Sequence, residues 1–316
     1  MKTTVLAFGA MFALFGAAAA LQPPAATPGG RGAAQERAPD PRSRSGRDCR
    51  DNPYNCVDTP NPLPAPDTVW IEEMTWMDVR DAMKGGKTTI IVPTGGIEPS
   101  GPWLTLGKHN VVLRTTCDAI ARKLGNALCA PIIPLVPEGS IDPPRGHMDT
   151  AGTISMREET YEAMLTDVVH SMKMHGFENI ILIGDSGGNQ RGQKAVAEKL
   201  NAQWNAKPIV AHIPEYYDNA SIQKFLVRLG VTTEGQKSDN LHDEPFYTLN
   251  MMAADPNSVR WSQRVKAGKA TIDGVSIADK TRAVALGKKI VEFHAANTVA
   301  AIRTALANQG RPATKP

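Results

Sequence analysis

The chain has 316 residues, 41% hydrophobic and 21% charged, which excludes a collagen-like or wholly disordered polymer and leaves room for one large domain or two modest ones. Its 35 Lys and Arg against 32 Asp and Glu give a net charge of +3, too little for a dedicated nucleic-acid binder.

In chain order, Lys2, an apolar run from Val5 to Phe15 and the small residues Gly16 to Ala20 read as a signal peptide over residues 1–20. Proline-rich sequence after Leu21 stops the run short of the roughly 20 apolar residues that a membrane span needs. The mature protein is therefore expected to be soluble, secreted or periplasmic, with no membrane insertion after leader removal. Ten of the 24 prolines fall between Leu21 and Pro66, so residues 21–66 are expected to be a flexible Pro/Arg-rich segment. Cys49 and Cys56 flank a polar loop, and in an oxidising compartment a disulfide is expected between them. Cys117 and Cys129 lie in helical and strand patterns and read by default as buried thiols, with their pairing left open.

Residues 67–306 carry the ordered pattern, ahead of a C-terminal tail over 307–316. Thr68–Ile71 predicts a short strand, and Thr75 caps a helix over Trp76–Met83 that Gly85 and Gly86 end. The β-branched run Thr88–Val92 predicts a buried strand, Val111–Leu124 a helix stopped by Gly125, and Leu128–Ile133 another strand. Ser155 and Glu158 have the spacing of a capping box for a helix reaching His175. Ile180–Ile183 predicts a third strand, followed by Gly184-Asp185-Ser186-Gly187-Gly188-Asn189 and a helix over Gln193–Trp204. Ile209–Ile213 predicts a fourth strand and Lys280–Leu306 a terminal helix. This alternation implies a mostly parallel sheet covered by helices on both faces, with ligands bound beyond the carboxyl ends of the strands.

Polar clusters fall at those ends. Glu98 and His109 share one Gly- and Pro-punctuated loop, and Asp185 and His242 sit in comparable loops. A carboxylate and imidazole set suits zinc, iron or manganese. Gly184-x-Ser186-x-Gly188 also has the form of a nucleophile elbow, with Asp239 and His242, or Asp279 and His294, following in the order that a serine hydrolase needs.

Several motifs in order resemble the creatininase family of metal-dependent amidohydrolases: Thr75-Trp76, Pro93-x-Gly95-x-x-Glu98-x-x-Gly101-Pro102-x-Leu104, Gly146-His147 ahead of Gly152-Thr153-Ile154-Ser155, and Gly187-Gly188-Asn189. The resemblance implies a three-layer α/β/α sandwich, frequent assembly as hexamers, and hydrolysis of a C–N bond in a small amide or lactam. It also implies departures. Ser100 and Ser186 stand where the family has histidines, His109 where it has an aspartate, Trp103 where many members have histidine, and Tyr247 where it has a glutamate, so the usual two-metal set is incomplete.

The expected site is then one divalent ion, zinc, manganese or iron, on Glu98, His109, Asp185 and His242. His242, Asp185 and Ser186 are the catalytic candidates, and His147, Trp103, Gly187, Gly188 and Asn189 are expected to contact substrate. The alternatives are a serine hydrolase using Ser186 and a domain that binds a small ligand without turning it over.

Overall fold

A computed structural model describes residues 38, 40–44, 47–205, 207–237 and 241–308. The signal-peptide reading, Asp239 and most of the C-terminal tail lie outside them. The chain divides into two compact units, up to Thr59 and from Pro60. In the first, Cys49 and Cys56 are joined by a disulfide, with Cα atoms 4.7 Å apart, and Ser43 makes a strand-like bridge to Cys56.

In the second unit, α1 (Trp76–Lys84) opens with a complete capping box between Thr75 and Asp78 and closes at Gly85. Four strands follow: β1 (Thr89–Thr94), β2 (Ala127–Cys129), β3 (Asn179–Gly184) and β4 (Ile209–His212). They lie in the order β2-β1-β3-β4, all parallel, with Ile91 opposite Cys129 on one side and Ile181 on the other. The second strand is shorter than the sequence pattern predicts, because Pro131 and Pro134 donate no hydrogen bond to a ladder. Of the expected first strand only Trp70 pairs, at a single bridge to Cys129.

Strand side chains alternate between two buried faces, which is why each strand reads as an unbroken apolar run. Ile91, Ile181, Ile183 and Ala211 pack with α2 (Lys108–Leu124) and α8 (Lys280–Asn308). Ile90, Val92, Ile180, Leu182 and Val210 face α3 (Glu158–Met174) and α4 (Asn189–Trp204). The result is the three-layer α/β/α sandwich. Between β4 and α8 the chain adds α5 (Asn219–Arg228), α6 (Pro245–Ala254) and α7 (Trp261–Lys266). Then come the two-residue strands β5 (Thr271–Ile272) and β6 (Val275–Ser276), which pair antiparallel. Phe246, Leu249 and Met252 of α6 join Ala283 and Ile290 of α8 in a third apolar cluster. None of the described helices is long and apolar enough to cross a membrane.

Two expectations are corrected here. Cys117 and Cys129 are disulfide-bonded, with Cα atoms 6.5 Å apart, because helix α2 packs directly on β2. Ser155 does not cap α3, whose cap position is Arg157 and carries no side-chain bond. Its hydroxyl instead accepts the Glu138 N–H at 2.9 Å and donates to the Gly139 carbonyl at 2.7 Å, closing the neck of the loop between Glu138 and Ser155.

Candidate active site

The ends of β1 and β3 are stitched together before they diverge. Asn189 in the first turn of α4, fully buried, donates its side-chain amide to the Thr94 carbonyl at 2.7 Å and the Gly95 carbonyl at 3.0 Å. Asn189 is thus a strut beneath the site, and the expected substrate contact is corrected on that ground. From this anchor, the turn after β1 delivers Glu98, α2 begins with Lys108 and His109, and the turn after β3 delivers Asp185 and Ser186.

These side chains meet as a buried charged group. His109 is bonded through both ring nitrogens, Nδ1 to Asp185 Oδ2 at 2.7 Å and Nε2 to Glu98 Oε1 at 3.0 Å. Lys108 Nζ lies 2.7 Å from the same Glu98 oxygen, 3.3 Å from the His242 carbonyl and 4.7 Å from the Tyr247 ring centre. Asp185 Oδ1 accepts from Tyr216 at 3.1 Å. Lys108, His109 and Asp185 are each only 2% exposed and Glu98 4%, so their charges are compensated by one another and not by water.

Burial disfavours a charged imidazole, yet the Asp185 and Glu98 hydrogen bonds override it and raise the His109 pKa to about 9. Burial likewise pushes Glu98 up, but His109 and Lys108 hold it well below the usual carboxylate range. Glu138, 5% exposed, has the opposite balance: burial and then the charge of Glu98 raise it to about 8. Its Oε2 accepts from Ser186 Oγ at 3.1 Å, and its Oε1 is buried.

His109 and Glu138 both bind protons more tightly folded than unfolded, where about 6.5 and 4.5 apply. Their stabilising contribution is present at acidic pH and is lost as pH rises through about 8 and 9. The urea midpoint of chelator-treated protein is accordingly expected to be lower at pH 9.5 than at pH 6, and an equal or higher value at pH 9.5 would contradict this.

A second group faces the cavity above. His147, on a 3-10 turn over Gly146–Asp149, has Nε2 3.2 Å from Glu98 Oε2. His242 has Nδ1 3.9 Å from Glu98 Oε1 and its ring 5.2 Å from that of His147. His242 has φ +56°, a conformation uncommon outside glycine and concentrated at functional sites. One donor atom from each of Glu98, His147 and His242 lies within 4.8 Å of the others. Ligands bound about 2.0–2.2 Å from one ion stand roughly 3.3–3.5 Å apart, so this spacing fits with small adjustments. The donor set of one carboxylate and two imidazoles suits zinc or manganese.

Three further expectations change. His109 and Asp185 are not among these three donors: both His109 nitrogens are taken by carboxylates, and Asp185 is engaged behind it. Ser186 donates to a carboxyl, and none of the imidazole hydrogen bonds among the described residues reaches it, so the serine–histidine pair that a serine hydrolase needs is not formed there. Trp103 packs against the third apolar cluster and does not line the cavity.

Gly187 and Gly188 do line the cavity. A Cβ at Gly188 would fall 1.8 Å from the Pro137 carbonyl oxygen, so the loop bearing Glu138 closes on this turn only because the residue is glycine. Gly188→Ala is expected to shift Glu138 and cut activity about 100-fold in soluble protein; retained activity in a steady-state assay would show that the loop tolerates the shift.

Sequence reasoning missed Lys108 and Glu138. Lys108 adjoins the chosen His109, and Glu138 opens a polar cluster at a strand end, so position was the available signal. The cavity above these residues has a volume of about 560 Å³.

A family model described as creatininase, creatinine amidohydrolase, matches residues 72–312. A crystal structure of creatinine amidohydrolase is similar in fold, with a TM-score of 0.53 and 18% identity over 78% of this chain and 100% of that one. A mutant creatininase of the Zn-Zn type gives 0.52 and 18%, and a structure named Creatininase Mn gives 0.53 and 18%, each with the same coverage. Among curated proteins no sequence matches this chain.

Proposed function

Because the chain belongs to the creatininase family, we propose that it is an amidohydrolase that cleaves a C–N bond of a small amide or lactam with the help of a divalent metal ion. The observation that carries this reading is the convergence of Glu98, Glu138, Lys108, His147 and His242 at one cavity beyond the sheet.

Glu98, His147 and His242 would hold the ion. When bound, it supplies a Lewis acid and lowers the pKa of a coordinated water. Lys108 already neutralises one oxygen of Glu98 and so disfavours a second cation, which supports one ion per chain. Asp185 and His109 fix the orientation of Glu98 from behind, as outer partners of metal ligands do. Glu138, a cavity-lining carboxyl that burial raises to about 8, is the group able to supply the proton that the departing nitrogen needs as the C–N bond breaks. Ser186 holds one oxygen of that carboxyl in place.

Secretion or a periplasmic location is part of the same proposal, supported by the leader-like first twenty residues and by two disulfides, which persist in oxidising compartments. Assembly into a homo-oligomer is a further element of it.

Elemental analysis of protein purified without chelators is expected to find about one divalent ion per chain, with hydrolysis of members of an amide and lactam panel. Less than about a tenth of an ion per chain, together with no hydrolysis, would overturn the reading.

A further inference from the structure

The cavity exceeds what cleavage of an unsubstituted amide requires. At about 560 Å³ it falls within the range of sites that enclose drug-sized ligands. One part of its lining is ionisable, around Glu98, Lys108 and Glu138; another is apolar. Tyr247 joins the two, lying over Lys108 at 4.7 Å and meeting Phe246 edge to face at 5.0 Å. Ile222 and Leu226 of α5 line the same cavity and belong with Phe246 to one apolar cluster, so their positions are set by packing.

The ionisable part is closed within itself. Lys108 is paired with Glu98, and His109 with Glu98 and Asp185. Among the described lining residues there is no arginine and no other lysine, so no lysine or arginine is left to recognise a substrate carboxylate.

We propose that the substrate is a neutral amide or lactam carrying an aromatic or comparably apolar substituent, which Tyr247, Phe246, Ile222 and Leu226 bind while the C–N bond lies beside Glu98 and Glu138. The identity of the bond rests on the hydrolase reading above; the substituent preference rests on the cavity alone.

Calorimetric titration of the full protein with acetamide, N-benzylacetamide and 2-phenylacetamide tests it, alongside turnover of the same three. The expected result is binding of a phenyl-bearing amide at least about tenfold tighter than acetamide. Ile222→Asn should cut that preference at least fivefold. So should Gln223→Trp, which crowds the cavity from an exposed position on α5 and leaves the core intact. Equal binding of all three, no binding of any, or a preference untouched by both variants overturns the substrate class, even if acetamide is hydrolysed. Tight, variant-sensitive binding without hydrolysis of any amide sustains the substituent pocket and overturns the hydrolase reading instead.

Discussion

Glu98→Gln is expected to lower kcat/KM by on the order of 1000-fold or more and to reduce bound metal to less than about a tenth of an ion per chain. Glutamine keeps the shape of the side chain and removes its charge, and that charge strengthens the contacts that Glu98 makes with His109, Lys108 and His147. It accepts from His109 and Lys108 below, and its other oxygen faces His147 3.2 Å away. Metal content measured beside activity gives the test its edge. Unchanged metal with activity within tenfold of wild type would remove Glu98 from the centre of the chemistry, whereas loss of both together is the signature of a ligand.

His109→Leu is expected to have the largest effect on stability. It takes the imidazole from between two carboxylates, leaving Glu98 with Lys108 and Asp185 with the Tyr216 hydroxyl in a region where each carboxylate is no more than 4% exposed. Removing one partner of a buried ionic group costs about 3–5 kcal/mol, which for a domain of this size lowers Tm by roughly 10 °C. A double replacement, His109→Leu with Asp185→Leu, is expected to recover part of that loss, because it removes one carboxylate together with its partner; a cycle of the four proteins, followed by thermal unfolding, measures the coupling. Additive effects would mean that the two side chains do not act as a unit.

Most of the sandwich was legible in the sequence. Strands buried on both faces leave continuous β-branched runs such as Thr89-Ile90-Ile91-Val92, and glycines mark helix ends, as Gly125 does for α2. The segment between β4 and α8 was not, because its helices are short and separated by turns, so no periodic stretch is long enough to stand out.

At the site, residue types were readable and their partnerships were not. Glu98, His109, Asp185 and His242 all lie near one another, but which donors point at the cavity depends on packing behind them, and His109 turned out to serve two carboxylates. Lys108 and Glu138 escaped notice because a lone lysine or glutamate beside a glycine-rich loop looks solvated until the fold buries it. His147, expected at the substrate, lines the cavity and stands as well among the three donors around Glu98.

The Cys117–Cys129 disulfide bears on how such a charged interior is tolerated. It ties α2, whose first turn carries Lys108 and His109, to the edge strand β2 across a sequence separation of 12 residues. Closing a loop of that size in the unfolded chain removes conformational entropy worth roughly 3 kcal/mol in the chain-entropy view. Desolvating an ion pair carries a penalty of several kcal/mol per ion, so a covalent constraint on the denatured state offsets part of what the buried charges cost the native one. Catalytic electrostatics and redox environment are thereby linked: a reducing compartment would weaken the scaffold under the very helix that supplies the site's two internal cations.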